Sequence, residues 1–475
     1  MDRFDEEEDQ EIDEIIQRLR NTLDHEESNF FDVYELEDAI TYLMDTNDLP
    51  FCEKVIDYAI KTYPQDSYFQ ILRSRYFSIQ FNFEEAQRVL DYVEKHFAPT
   101  PEFYLEKVSV AHFLHQDINA IELLEKAVSM DDRFFEGHLY LIQEYLVAGN
   151  KDEAVKHAVR AIGLDQYAAD DLRPMLMETS LNQINPGVLV DFFKEMTDRF
   201  PLKAPLWNGL GVAYVMRSDF KNALDAFHFQ TSLDPDDAFA YANIAEAYFG
   251  SGDYKQAVEY FKLANAKSEN VQFNPQLGRC YIQLKEYDTA MEYLLKARNE
   301  HPLLEAYVVS DVVHILKIQG KFDDARAYLR DFLQKSPDDI FAIQDMIDLL
   351  NPVKDAEEIK ELCYTAINAM EYNHIQFFDF IVQYCYLNEC PDIALELCEN
   401  YLDDPDLVHS IHYYIALLEI RKGQTSEAME HLEEALIMAN DRVEQVFLKV
   451  DRDLLNIPEV QSLLERYAPE ALLQK

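Results

Sequence analysis

The sequence has few glycines and prolines, which interrupt helices, and few cysteines, which could form disulfides. Its 475 residues include only 11 glycines, 17 prolines and one tryptophan. This scarcity, together with few β-branched runs, favours an all-helical chain over a sheet protein. The six cysteines, few for this length, are most simply free thiols in a reducing compartment.

Basic residues are also scarce. Lys and Arg number 42 against 90 Asp and Glu, which gives a formal net charge of −48. Nucleic acid and anionic membrane surfaces would repel such a chain, so we expect neither as a direct partner. The charge permits a basic protein partner without requiring one, because an acidic surface that serves solubility explains it more simply.

Long apolar runs are missing as well. None approaches the roughly 18 residues that a membrane span needs. The first residues, MDRFDEEEDQ, lack the basic and apolar regions of a secretory signal. We therefore expect a soluble, cytoplasmic protein.

The stretch 204–237 shows what the chain does contain. Two apolar patterns with spacings of three and four lie on either side of a polar break at Arg217–Asp219. Such spacings place each set on one helix face, so the segment predicts two amphipathic helices joined by a short turn. Its key residues are Trp207, Leu210, Gly211, Tyr214, Ala223, Phe227 and Pro235.

These residues stand at positions 4, 7, 8, 11, 20, 24 and 32 of a repeat, and the segment thereby resembles the tetratricopeptide repeat of bacterial-type multi-repeat proteins. Only Gln230, at position 27, departs from the pattern. Small or apolar residues recur at position 20 every 33–35 residues along the chain. They are Cys52, Ala86, Ala120, Ala154, Val188, Ala223, Ala257, Ala290, Ala325, Ile359, Ala394 and Ala428.

The resemblance implies an all-α fold, a right-handed α-solenoid (superhelix) of about twelve helix-turn-helix repeats over 33–442. Residues 1–32 are predicted to be an acidic tail, disordered before residue 10, and a capping helix over 10–24. Residues 443–475 are predicted to cap the other end, with helices over 441–450 and 458–467. Pro174 and Asn351-Pro352 interrupt the repeat, either as bends or as drifted repeats.

No constellation of residues predicts chemistry. Cys363, Cys385, Cys390 and Cys398 have irregular spacing, and three of them fall in core positions of the repeat. The pairs His112-x₂-His115 and His409-x₂-His412 lack an accompanying metal-site motif. We therefore predict no catalytic residue, no cofactor and no metal, and hence no enzyme.

In the family that the chain resembles, the first helix of each repeat (helix A) lines a concave groove, with positions near 2, 5, 6, 9 and 12 facing it. At repeats 6–8 this implies a groove formed by Asn208, Asn243, Glu246, Gln276 and Arg279. The lysines of a carboxylate clamp are missing and Val212 replaces its asparagine, which argues against recognition of a chaperone tail. Position 2 is often aromatic, and these rings either anchor a peptide or pack on the preceding helix. They are Tyr34, Tyr68, Phe239, Tyr307 and Phe341.

The resemblance thus implies a non-enzymatic scaffold for protein–protein interaction that binds a peptide or protein in its groove. Two alternatives stay open. One is a regulatory receptor that compacts around a small peptide. The other is an accessory subunit of an enzyme or assembly complex.

Overall fold

A computed structural model describes the chain at residues 3–25, 29–116, 118–165, 167–170, 172, 183–268, 273–300, 302–352, 354–369, 374–404 and 407–472. Every regular element within these residues is helical, as predicted. The chain divides into two compact units, Met1–Ser268 and Glu269–Lys475. Within each unit, consecutive helices pack on one another.

The first unit contains a leading helix followed by helix pairs. Its helices are α1 (Arg3–His25), α2 (Val33–Asp45), α3 (Leu49–Thr62), α4 (Tyr68–Ile79), α5 (Phe83–His96), α6 (Pro101–Phe113), α7 (Ala120–Met130), α8 (Phe135–Val147), α9 (Lys151–Leu164), α10 (Pro186–Arg199), α11 (Ala204–Met216), α12 (Phe220–Leu233), α13 (Ala238–Ser251) and α14 (Tyr254–Lys267).

The second unit continues the same pattern. Its α-helices are α15 (Asn274–Gln283), α16 (Tyr287–Glu300), α17 (Glu305–Ile318), α18 (Phe322–Leu333), α19 (Ile340–Leu349), α20 (Ala356–Ala369), α21 (His374–Leu387), α22 (Pro391–Asn400), α23 (Val408–Lys422), α24 (Thr425–Ala439) and α25 (Pro458–Tyr467).

The predicted core positions are buried. Position 20 is fully or nearly fully buried from Cys52 to Ala428, except at Val188, which is half-buried. Position 24 is buried in every predicted repeat, from Ile56 to Leu432. The side chains at these positions form the contact between the two helices of each pair.

The turn inside each pair has a recurring backbone conformation. Position 15, directly after helix A, has a positive φ at glycines 149, 252, 320 and 423 and at several larger residues. The larger residues are Asn47, Phe81, His115, Ser218, Lys285 and Glu389. A left-handed residue at this point ends a helix, which explains why glycine is frequent there. At the next position, Asn82, Asn150, Asp219 and Asp253 accept a hydrogen bond from the first turn of the second helix.

Two terminal predictions need correction. The leading helix begins at Arg3 rather than near residue 10, so the expectation of a disordered acidic tail is wrong. Acidic residues near a helix N-terminus interact favourably with its dipole, which is consistent with this early start. The helix predicted over 441–450 is instead a 3₁₀ turn, Asn440–Arg442, followed by a π-helical turn, Val443–Leu448. Short 3₁₀ helices at Pro302–Leu304, Arg452–Asn456 and Pro469–Leu472 complete the second unit.

Pro174 lies outside the described residues. Helix α19 ends at Leu349, ahead of Asn351-Pro352, because proline disfavours a helical residue before it.

Candidate binding groove

A cleft of about 390 Å³ runs across the first unit, between the first helices of four consecutive pairs, α2, α4, α6 and α8. Its lining residues stand at positions 2, 5, 6, 9, 12 and 13 of the repeat, close to the positions that the resemblance places in a groove. They are Thr41, Met44, Asp45, Leu72, Arg75, Ser78, Ile79, Leu105, Glu106, Ser109, Glu136 and Tyr140. The cleft lies at repeats 1–4, whereas the sequence pointed to repeats 6–8.

A buried carboxylate forms part of the floor of this groove. Glu106 is only 5% exposed. Ser74 Oγ donates to its Oε1 at 3.0 Å and Ser78 Oγ donates to the same atom at 3.3 Å. Arg75 Nε donates to Oε2 at 3.3 Å, so all three partners of the Glu106 carboxylate come from one neighbouring helix, α4. Burial raises the pKa of Glu106, while the Arg75 guanidinium opposes that rise.

The groove and its surroundings carry more negative than positive charge. Asp45 and Glu136 are exposed side chains of the lining, and Arg75 is already paired with Glu106. The position-2 ring of Tyr68 lies in the electrostatic field of Arg75 and of Glu37, Glu102 and Glu136. Burial, reinforced by Asp66, Asp38 and Glu102, raises the pKa of Glu37 to about 7. These carboxylates make the electrostatic potential around the groove negative wherever they are ionised.

Apolar side chains supply the rest of the lining. Met44, Leu72 and Leu105 are buried in the groove wall, and Ile79 is 43% exposed. The lining of the groove thus combines apolar side chains, of which Ile79 is the exposed one among these four, with carboxylates.

The predicted groove residues of the first unit have different environments. Asn208 is buried, and its Nδ2 donates to Oε1 of Gln230 at 3.0 Å, which is the placement of a core residue rather than of a ligand contact. Gln230 in turn donates to Asp237 at 2.9 Å. Asn243 is half-buried, and its Nδ2 is enclosed with no hydrogen-bond partner among the described residues. Glu246 is exposed.

Of the two predicted groove residues in the second unit, one is half-buried and the other already forms hydrogen bonds within the protein. Gln276 is half-buried, with its Oε1 enclosed and without a hydrogen-bond partner in the described part of the chain. Arg279 is exposed, but its Nε donates to Asp311 at 2.8 Å and its Nη2 to the carbonyl of Tyr307 at 3.1 Å. A partner carboxylate would therefore have to compete with Asp311 for Arg279.

The position-2 aromatic rings are mostly exposed. Tyr34, Tyr307 and Phe341 are 75%, 67% and 73% exposed, and Phe239 is half-exposed. Part of each ring is nevertheless covered, so both alternatives, a peptide anchor and packing on the preceding helix, stay predictions for these residues. Tyr68 is the half-buried exception, and it lies beside the groove.

The cysteines and histidines considered for metal binding are placed as follows. Cys363, Cys385 and Cys398 are fully buried, as their core positions predicted. His112 lies 3.6 Å from Glu144, and His115 occupies the left-handed position after α6. His412 Nδ1 lies 2.9 Å from Nδ1 of His431 on the next helix.

Known proteins resemble parts of this chain. Residues 213–297 match the family model described as anaphase-promoting complex, cyclosome, subunit 3. A Candida albicans protein described as a peroxisomal targeting signal receptor is 26% identical over 207 residues, 42% of this chain and 35% of that protein. A Bos taurus protein described as BBSome complex member BBS4 is 25% identical over 151 residues, 32% of this chain and 29% of that protein.

The chain therefore matches about a third of the length of either relative. Among solved structures, yeast Tom70 is similar at 14% identity, with 88% of this chain and 100% of that chain covered and a TM-score of 0.40. In the described part of the chain, no helix has the length and apolar character needed to cross a bilayer.

Proposed function

Because the chain is a tetratricopeptide-repeat protein, we propose that it acts by binding, not catalysis, and holds a basic, partly apolar segment of another protein in the groove formed by α2, α4, α6 and α8. The observation that carries this proposal is the lining of that groove. Carboxylates of Asp45 and Glu136 stand beside the apolar side chains of Leu72, Ile79 and Leu105.

Electrostatics select the sign of the partner. Arg75 is the one basic residue in the lining, and its charge is already balanced by Glu106. A lysine or arginine entering the groove meets the remaining carboxylates, and the whole chain, at a net charge of −48, attracts a cation from a distance. An acidic segment would be repelled both by the carboxylates of the groove and, at a distance, by the net charge of the chain.

The resemblance to known proteins supports the same class of function. The Candida relative is described as a peroxisomal targeting signal receptor. By analogy, the ligand of this chain is a protein segment and the groove is where it binds.

A direct binding measurement tests the proposal. Fluorescence anisotropy would be measured on the full chain with a labelled peptide of alternating Lys and Leu and with the same peptide carrying Glu for Lys. The Lys peptide is expected to bind, with affinity that falls as salt rises because the carboxylates are exposed. The double variant Asp45→Lys/Glu136→Lys should weaken binding by roughly tenfold or more, since each lost contact to an exposed charge is worth up to about 1 kcal/mol.

The matched control is Asp225→Lys/Glu259→Lys, which makes the same change in net charge on exposed second-helix residues of the same unit. Equal losses in the two double variants would show that only the overall charge matters. Equal binding of the Lys and Glu peptides would contradict the proposal outright.

A second candidate is a subunit of a multiprotein assembly. The match to the family of the anaphase-promoting complex subunit and the resemblance to a BBSome complex member both favour it. Gel filtration of the untagged protein in its own cell extract distinguishes this candidate. Elution only at the size of the free chain would argue against a stable assembly, and elution in one large, salt-resistant complex would favour it.

A further inference from the structure

The same pair of histidines occurs twice in the chain. His138 and His157 stand at positions 4 and 23 of one repeat, and His412 and His431 stand at the same positions of another. In both pairs the two Nδ1 atoms are 2.9 Å apart and the two rings are inclined at 37°. Position 4 is on the first helix of the pair and position 23 on the second, so each histidine pair joins two helices.

The first pair has a separate partner for each ring nitrogen. His138 Nε2 lies 3.1 Å from the carbonyl of Asp132, and His157 Nε2 lies 3.2 Å from Glu125. Tyr145 donates to the same carboxylate at 2.8 Å. Each ring nitrogen of this pair thus faces a separate partner within the protein.

The second pair is arranged differently. Its His412 Nδ1 approaches not only His431 Nδ1 but also Glu434 Oε2, at 3.0 Å. One ligand atom from each of the three residues lies within 4.8 Å of the others. An imidazole nitrogen carries either one proton or one lone pair, so His412 Nδ1 cannot satisfy both neighbours with one hydrogen bond.

We propose that His412, His431 and Glu434 bind a divalent transition-metal ion, with Zn²⁺ as the best fit. Two imidazoles and one carboxylate are ligands that zinc prefers. Tetrahedral coordination at a bond length near 2.05 Å separates the ligand atoms by about 3.3 Å. The two measured separations, 2.9 Å and 3.0 Å, need to widen by only a few tenths of an ångström.

The protein supplies three ligands and leaves a fourth position. His412 is buried, whereas Glu434 is exposed, so the site opens to solvent on the side of the carboxylate. Water fills that position, or a side chain of a bound protein. The ion would tie α23 to α24 in the second unit, and the site is independent of the groove in the first unit.

Sequence spacing alone did not find this site. The sequence shows histidines three residues apart on one helix, whereas the second histidine of this site comes from the next helix, 19 residues away. The useful signal was the recurrence of histidine at positions 4 and 23, together with a glutamate three residues after the second histidine.

The test is calorimetric titration of the untagged, chelator-treated full chain with Zn²⁺ alone, in excess Mg²⁺ to occupy sites made only of carboxylates. The visible absorption of Co²⁺ in the same protein provides a second readout, because tetrahedral coordination gives intense bands. One site is expected. Glu434→Gln, at an exposed position, should weaken Zn²⁺ affinity by at least the roughly 10–100-fold that loss of an outer-shell partner costs. His431→Ala should abolish Zn²⁺ binding.

The chain provides two matched controls. Glu430→Gln removes the same charge one turn earlier on α24, and His157→Ala removes the equivalent histidine of the other pair. Both should keep one Zn²⁺ site and the Co²⁺ spectrum. No Zn²⁺ binding by the unaltered chain would overturn the proposal, and so would an affinity that Glu434→Gln and His431→Ala leave unchanged.

Discussion

The ring of Phe227 lies against the backbone of Gly211. A Cβ added at Gly211 would stand 2.3 Å from Cε1 of Phe227, closer than real Cβ atoms come to another carbon. Leu294 fills the corresponding space beside Gly278 two repeats later, where an added Cβ would meet its side chain at 2.6 Å. The two helices of these pairs therefore approach closely because position 8 has no side chain.

Gly211→Ala should consequently destabilise the first unit. The extra methyl group overpacks the contact with Phe227, which costs about 1–3 kcal/mol. Gly163→Ala is the matched control, since nothing lies within 4 Å of an added Cβ there and α9 gains helix propensity of about 0.5–1 kcal/mol. Urea unfolding followed by circular dichroism measures both. Gly211→Ala as stable as Gly163→Ala would contradict this account of the packing.

The left-handed residue after each first helix allows a stabilising substitution. Lys285 has φ = 63° and is exposed. Lys285→Gly should stabilise the second unit by about 0.5–1 kcal/mol because glycine adopts this conformation without a steric penalty. Gly252→Ala, at φ = 85° in the first unit, should have the opposite sign. Thermal melting curves of the two variants measure both effects. A change in melting temperature of the same sign in both variants would refute the explanation.

The single departure from the repeat pattern, Gln230, has a structural reason. It accepts a hydrogen bond from buried Asn208 and donates one to Asp237. Gln230→Ala restores the usual residue of the repeat but should cost about 1–3 kcal/mol, since it leaves the Asn208 amide buried without its partner.

The double variant Asn208→Ala/Gln230→Ala should lose less stability than the sum of the two single variants. The difference measures the coupling between the two side chains. Additive losses in the urea midpoints would show that the hydrogen bond contributes nothing.

Glu37 should make stability depend on pH. Its folded-state pKa is about 7 against an ordinary value of 4.5, so the folded state retains a proton that the unfolded state releases. The contribution of Glu37 to stability is therefore full below pH 4.5 and is lost as pH rises through about 7. Glu37→Gln, which cannot ionise, should match the unaltered chain in acid and exceed its stability above pH 7.

Unfolding by urea at pH 5 and pH 8 measures this difference. Asp38→Asn is a useful comparison, because Asp38 is an exposed neighbour on the same helix whose charge raises the pKa of Glu37. It should reproduce only part of the effect. A stability difference between Glu37→Gln and the unaltered chain that is the same at both pH values would be incompatible with a raised pKa.

Much of the fold was accessible from the sequence. Ala223 and Phe227, and their equivalents 34 residues away, indicate which faces of the helices are buried. These positions recur along the chain because the two helices of each repeat pack on one another there. The glycines at position 15 lie where the first helices end. The acidic start of α1 was not predicted as helix because its composition is typical of disorder, and helical acidic segments share that composition.

The candidate site was less accessible. Asn208 was assigned to a groove from its position alone, yet its hydrogen bond to Gln230 places it inside the protein. The sequence does not distinguish Glu106 from the other members of its 90 acidic residues. Only the fold shows that Ser74, Ser78 and Arg75 surround its carboxylate. Contacts between different helices decide both cases, and a repeat pattern does not specify them.

Site-specific photo-crosslinking tests the central claim most directly. A photoreactive amino acid would replace Ser109, which lines the groove on α6, and in a second protein Ser129, which is exposed on α7 of the same helix pair. Irradiation with the Lys-Leu peptide is predicted to crosslink it at position 109 and not at position 129, with the product lost on adding excess unlabelled peptide. Crosslinking at position 129 equal to or greater than that at position 109 would contradict the assignment of binding to this groove.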